Sequence, residues 1–128
     1  MPSLDTSALL RWLIADVPRQ AARVDALLAS GERFAVNDAV LIETAFVLER
    51  VMLLSRAAVA DAIGTVLSTA SLNVNRTRWR AVMDAYTSHP KLSVTDLYLA
   101  EWARASQTTP LYTSDRKLAA QQDGAELL

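Results

Sequence analysis

The 128-residue chain contains no cysteine, which excludes disulfides, thiolate zinc sites and cysteine nucleophiles, and suits a reducing cytoplasm. It has one histidine, His89, so a metal site built on imidazoles is out of reach. Glycine occurs only three times, and neither G-x-x-x-x-G-K-[ST] nor G-x-G-x-x-G is present, which disfavours nucleoside-triphosphate use and dinucleotide binding. No apolar stretch reaches the roughly 18 uninterrupted residues of a membrane span. The opening "MPSLDTSALL" carries an acid at Asp5, no basic leader and no long apolar core, unlike a signal peptide. A strong charge of one sign is missing too. With 13 basic and 14 acidic residues the net charge is −1, so any handling of nucleic acid must rest on local chemistry rather than on overall charge.

What is present is a folded composition, 52% hydrophobic and 21% charged, in a chain the size of one ordinary domain. After a short strand at residues 2–5, Leu9, Leu10, Leu13 and Ile14 recur at helical spacing behind a Thr/Ser cap. Pro18 opens a second helix that runs toward Gly31. "RFAV" reads as a buried strand, Asn37 or Asp38 as the cap of the apolar helix in "NDAVLIETAFVLER", and Ser55 as the start of another helix. "LNVN" is a strand candidate, and the helix of "RTRWRAVMDAY" is stopped at His89-Pro90, because a residue before proline avoids the helical basin. Ser93 caps "VTDLYLAEWARAS"; a turn at Thr109-Pro110, a strand "LYT", a helix from "SDRKLAAQQ" and a last strand "AELL" complete the chain. Short strands alternating with helices predict right-handed crossovers and a parallel sheet with helices on both faces, a three-layer α/β fold.

Four acids stand apart. Asp5 and Asp115 each fall where a strand gives way to a helix, and ligands in open parallel sheets bind beyond the carboxyl ends of strands. Glu43 lies among Ala39, Val40, Leu41, Ile42, Ala45, Phe46, Val47 and Leu48, which predicts a buried carboxylate in need of a hydrogen bond, a proton or a cation. Asp96 stands three residues after Ser93, with Leu97, Tyr98, Leu99 and Ala100 beside it. Each acid also has a plainer reading: Asp5 and Asp115 as helix caps, Asp96 as the acid of a capping box, Glu43 as a satisfied buried acid. Convergence of three or four carboxylates would demand a counter-ion. With no cysteine and a single histidine that reads as a solvated loop residue, the ligands are all oxygen, suiting Mg²⁺ or Mn²⁺ better than Zn²⁺. A hard divalent ion so held serves phosphoryl transfer, which leaves phosphodiester hydrolysis as the natural chemistry.

"LDTSALLRWL", "NDAVLIETAFVL", "SVTDLYLAEWA" and "LYTSDRKLA", in this order and spacing, resemble the four acidic motifs of PIN-domain ribonucleases, most closely the small VapC-type toxins of prokaryotic toxin–antitoxin pairs. The resemblance runs to the closing "GAELL" and implies a single PIN domain over residues 1–128 with a short central parallel sheet. It implies Asp5, Glu43 and Asp96 as catalytic metal ligands, with Asp115 as a fourth, more variable one. Thr6, Ser7 and Thr113 would be the supporting hydroxyls. It further implies Mg²⁺- or Mn²⁺-dependent endoribonuclease activity, a cytoplasmic homodimer and a small antitoxin that blocks the site. Ser7 stands where the family often has Asn; "HPKLSVTD" lacks the usual Gly and aromatic before the third acid, and "TSD" lacks the usual aromatic before the fourth.

Arg116 and Lys117, next to Asp115, and Arg76 and Arg80, one turn apart on one helix, each have two readings, substrate contacts or an ordinary solvated charged face. Trp79 has two readings, a base platform or a core residue. Trp12 and Trp102 read as core or dimer-interface residues. Two other functions compete: a PIN-like module that has lost cleavage and binds protein or RNA, and a receiver-like domain. The latter needs paired early acids and a lysine on a late strand, whereas "MPSLDTS" has one acid and "LYTSD" has no lysine.

Overall fold

The computed structural model describes all 128 residues, which divide into two compact units, Met1–Asn75 and Arg76–Leu128. In the first unit, helix α1 (Thr6–Ile14) is followed by α2 (Pro18–Leu28), strand β1 (Phe34–Ala35), α3 (Asp38–Phe46), a π-helical turn (Val47–Val51), α4 (Arg56–Leu67) and strand β2 (Leu72–Asn73). The starts follow the expected chemistry. Pro18 occupies the first turn of α2, Asn37 accepts the Ala39 amide at 2.7 Å to cap α3, and Ser55 accepts the Ala58 amide at 3.1 Å to cap α4.

The strands of this unit are short and parallel. Phe34 pairs with Leu72 and Ala35 with Asn73, while Ser3 forms a parallel bridge to Ala35, so the N-terminal segment, β1 and β2 lie side by side in that order. Leu4 donates its amide to the Ala35 carbonyl at 3.0 Å, and Ala35 donates to Pro2 at 2.8 Å. Leu9, Leu41, Ala45, Val59, Ile63 and Leu72 are fully buried, which is the burial that sustains such brief strands against their small number of hydrogen bonds.

The second unit contains α5 (Arg76–Ser88), α6 (Val94–Ala105), strand β3 (Leu111–Thr113), α7 (Arg116–Gln121) and strand β4 (Ala125–Leu127). β3 and β4 pair in parallel, Leu111 with Ala125 and Thr113 with Leu127, around α7. Helices α5 and α6 pack together, with Trp79 stacked on Tyr98 at a ring separation of 5.6 Å. Trp79 is fully buried, so its core reading holds and a base-stacking role does not. Trp12 donates its indole N–H to Asp25 at 2.9 Å, whereas Trp102 is 42% exposed and is not a core residue.

Two features escaped the sequence pattern. The helix around Glu43 runs on through a π-helical turn, and the last residue of that turn, Val51, with Met52, Leu53 and Leu54 after it, forms an apolar strip on the surface. Leu53, at φ 59° and 81% exposed, takes the left-handed conformation that branched side chains resist. No helix is long and apolar enough to cross a membrane.

Candidate metal centre

The row Ser3, Ala35, Asn73 is in register across three parallel segments, and the chain leaves each of them at its carboxyl end. Two residues further along stand Asp5, Asn37 and Asn75. With the two-residue repeat of extended backbone, these three are the next positions on the same side of their segments. They border a cleft of about 730 Å³ that also takes in Val36, Val40 and Val74. Sequence reading placed Asp5 at this strand end but missed the asparagines as oxygen donors. The signal was there as a doubled Val-Asn, Val36-Asn37 and Val74-Asn75, each just past a strand.

Asp5 has two duties divided between its oxygens. Oδ1 accepts the Ala8 amide at 2.9 Å and the Ser7 hydroxyl at 2.8 Å, which makes Asp5 the N-cap of α1. The Ala8 amide, and after it the Ser7 hydroxyl, hold the Asp5 carboxyl below its ordinary value of 3.8, so the group is charged at neutral pH. Oδ2 accepts no hydrogen bond and is left for another partner. The same division recurs at Asp115, whose Oδ1 takes the Lys117 amide at 2.8 Å and the Leu118 amide at 3.1 Å to cap α7. Thr113 Oγ1 accepts the Asp115 amide at 3.0 Å and so fixes the turn out of β3. Capping and cation binding are therefore compatible at both positions rather than alternatives.

Asp96 differs. Ser93 caps α6 by accepting the Asp96 amide at 3.1 Å, but the return bond of a full capping box is not made, so the half-buried Asp96 carboxylate is not consumed by the helix start. Glu43 corrects the sequence reading most sharply. It is exposed, on a stripe of α3 shared with Ala39 and Phe46, while Leu41, Thr44 and Ala45 take the buried side. The apolar run does leave a face for water, and Glu43 has no desolvation problem for a cation to solve.

The four acids are distributed two and two, Asp5 and Glu43 in the first unit, Asp96 and Asp115 in the second. Neither unit by itself gathers three or more acidic or histidine side chains into a cluster. Thr6 is the half-exposed first residue of α1, and His89 is half-buried between α5 and α6. Arg116 and Lys117 are exposed at the start of α7; on α5, Arg76 is half-buried and Arg80 exposed.

A family model described as the PIN domain matches residues 3–123. The chain belongs to the PIN domain family. The mixed helices and short parallel strands fit the three-layer α/β arrangement expected of a PIN domain. PIN domains are generally nucleases and typically use divalent metal ions. The donors this PIN domain offers, a charged carboxylate with an uncommitted oxygen beside hydroxyl and amide oxygens, suit a hard divalent cation and offer no thiolate to a softer one. A search of curated proteins found no match.

Proposed function

We propose that this PIN domain is an endoribonuclease dependent on Mg²⁺ or Mn²⁺, the toxin of a VapC-type toxin–antitoxin pair, acting as one domain over residues 1–128. The observation that carries the reading is Asp5: a carboxylate at the carboxyl end of parallel segments, kept charged through one oxygen while the other stays uncommitted, on the border of a cleft. In this reading Asp5, Glu43 and Asp96 hold the cation, and Asp115 helps to place a second ion or a water.

When bound, such an ion neutralises charge on the scissile phosphate and acidifies water. The remaining work falls to the chain. Ser7 and the Ala8 amide fix the angle of the Asp5 carboxylate, and Thr113 steadies the turn that presents Asp115. Arg116 and Lys117, exposed at a helix start, meet substrate phosphate, and Arg76 and Arg80 add positive charge along α5. This is electrostatic positioning, with no histidine base. The partners are an RNA substrate, an antitoxin protein that covers the site and a second copy of the chain; the cysteine-free composition fits the cytoplasm.

The test is RNA cleavage in Mn²⁺ by purified wild type and Asp96→Asn, with both proteins checked for native melting. Loss of cleavage in the variant is expected. Cutting at the parent's rate would remove Asp96 from the site, and no cutting by either would favour the PIN-like binding module. Induced expression of wild type against Asp5→Ala, with mapping of cut RNA ends, tests the toxin role: growth arrest is expected from wild type alone.

A further inference from the structure

The second large groove of the first unit lies between α1 and α2 and encloses about 700 Å³. Arg11, Arg19 and Arg23 line it together with Ala8, Val24 and Leu27, and none of its lining residues is acidic. Asp16 pairs with Arg11 at 3.2 Å and so counters that one arginine, and Asp25 accepts the Trp12 indole N–H at 2.9 Å, which leaves Arg19 and Arg23 as the uncountered charges. Arg19 and Arg23 are exposed, and neither makes a hydrogen bond or an ion pair. Arg19 sits in the first turn of α2, which has no acid and no side-chain cap, the end of a helix where a cation is least favoured. One guanidinium held against that tendency, with a second one turn further along the same face, in a chain of net charge −1, calls for an anion.

We propose that this groove is the track for the RNA backbone leading away from the cleavage centre, with Arg19 and Arg23 as its phosphate contacts. Three observations favour a nucleic-acid strand over an acidic protein segment. Arg19 and Arg23 are four residues apart on one face, a repeat of about 6 Å along the helix, comparable to the step between neighbouring phosphates of an extended strand. All three basic residues are arginine, whose planar fork matches phosphate in a way lysine does not. The groove also reaches Ser7, whose hydroxyl is bonded to the Asp5 carboxylate at 2.8 Å, so a strand leaving that acid enters the groove at once. The small apolar floor of Ala8, Val24 and Leu27 gives ribose and base faces a surface without selecting a sequence. This inference rests on the endoribonuclease reading.

The experiment is salt-dependent binding of a fluorescein-labelled oligouridylate of about 12 nucleotides, read by anisotropy in EDTA. It compares wild type, Arg19→Gln/Arg23→Gln and Arg19→Lys/Arg23→Lys. Each single-strand phosphate contact contributes about 0.7 to the slope of log K against log salt, so the Gln pair is expected to lower the slope by about 1.4. Its affinity at low salt should fall at least about tenfold, and the Lys pair should recover most of the slope. The stabilisation of the metal-free melt by Mn²⁺ should be the same in all three proteins. A wild type that cuts RNA, with an unchanged slope in the Gln pair, overturns this inference and leaves the function standing. So does Arg-dependent capture of a synthetic Glu/Leu amphipathic peptide with the RNA slope unchanged. A wild type that neither binds nor cuts RNA overturns the function, and this inference with it.

Discussion

Asp115 separates the two duties of a capping acid in one experiment. Asp115→Ala removes the oxygen that accepts the Lys117 and Leu118 amides and leaves the first turn of α7 open, in a helix of only six residues. Loss of such a cap costs about 1 kcal/mol, within a range of about 0.5–2. In a domain of this size that lowers the melting temperature by roughly 3–5 °C. Asp115→Asn keeps an oxygen in the same place and caps about equally well, so its metal-free melt should stay within about 1 °C of wild type. The charge is gone from both variants, and Oδ2 with it as an anionic donor. A metal present at 100 times its dissociation constant stabilises the native state by about 2.7 kcal/mol, and both variants should lose a measurable part of that gain. The assay is thermal unfolding with and without millimolar Mn²⁺. An Asn variant as unstable as the Ala variant would refute the hydrogen-bond account of the cap. An Asn variant with the full Mn²⁺ shift would leave Asp115 a cap and nothing more.

Glu43→Gln on the exposed stripe of α3 should leave metal-free stability within about 0.5 kcal/mol of wild type and reduce the Mn²⁺ shift; a gain in metal-free stability would restore the buried-acid reading. Trp79→Ala empties a fully buried site against Tyr98 and should cost about 3–5 kcal/mol in urea unfolding. The Asp5 carboxyl titrates below 3.8 when folded, so its contribution to stability is complete above that pH and is lost as pH falls through the folded value. Acid unfolding of Asp5→Asn should therefore show a weaker dependence on pH below about 3.8 than wild type, and parallel curves would refute it.

The sequence carried the elements and their starts because those signals are local. Asn37, Ser55 and Ser93 cap where a polar oxygen precedes an apolar run, Pro18 opens α2, and brief β-rich stretches pair in parallel as alternation with helices requires. What the sequence could not convey depends on direction in space. Residues 39–48 are apolar on nearly every side, so their period cannot say which stripe turns to water, and tertiary packing assigned Glu43 and Phe46 to it. The division of Asp5 and Asp115 into a bonded and an uncommitted oxygen is a matter of ångströms. Arg19 and Arg23 belong to no motif in the sequence, and only the packing of α1 on α2 makes them line a groove. Even the Val-Asn pairs gain meaning only from the register that sets Asn37 and Asn75 level with Asp5.

The divided carboxylates bear on how such a protein would decay once its activity is no longer under selection. At Glu43 and Asp96 no side-chain oxygen caps a helix start, and the fold constrains drift less there. At Asp5 and Asp115 the helix still needs an acceptor after the catalyst is no longer wanted. The tolerated change is to asparagine, one nucleotide away from aspartate in the genetic code, so lineages that have gone silent should keep amides at these two positions while the other two diversify.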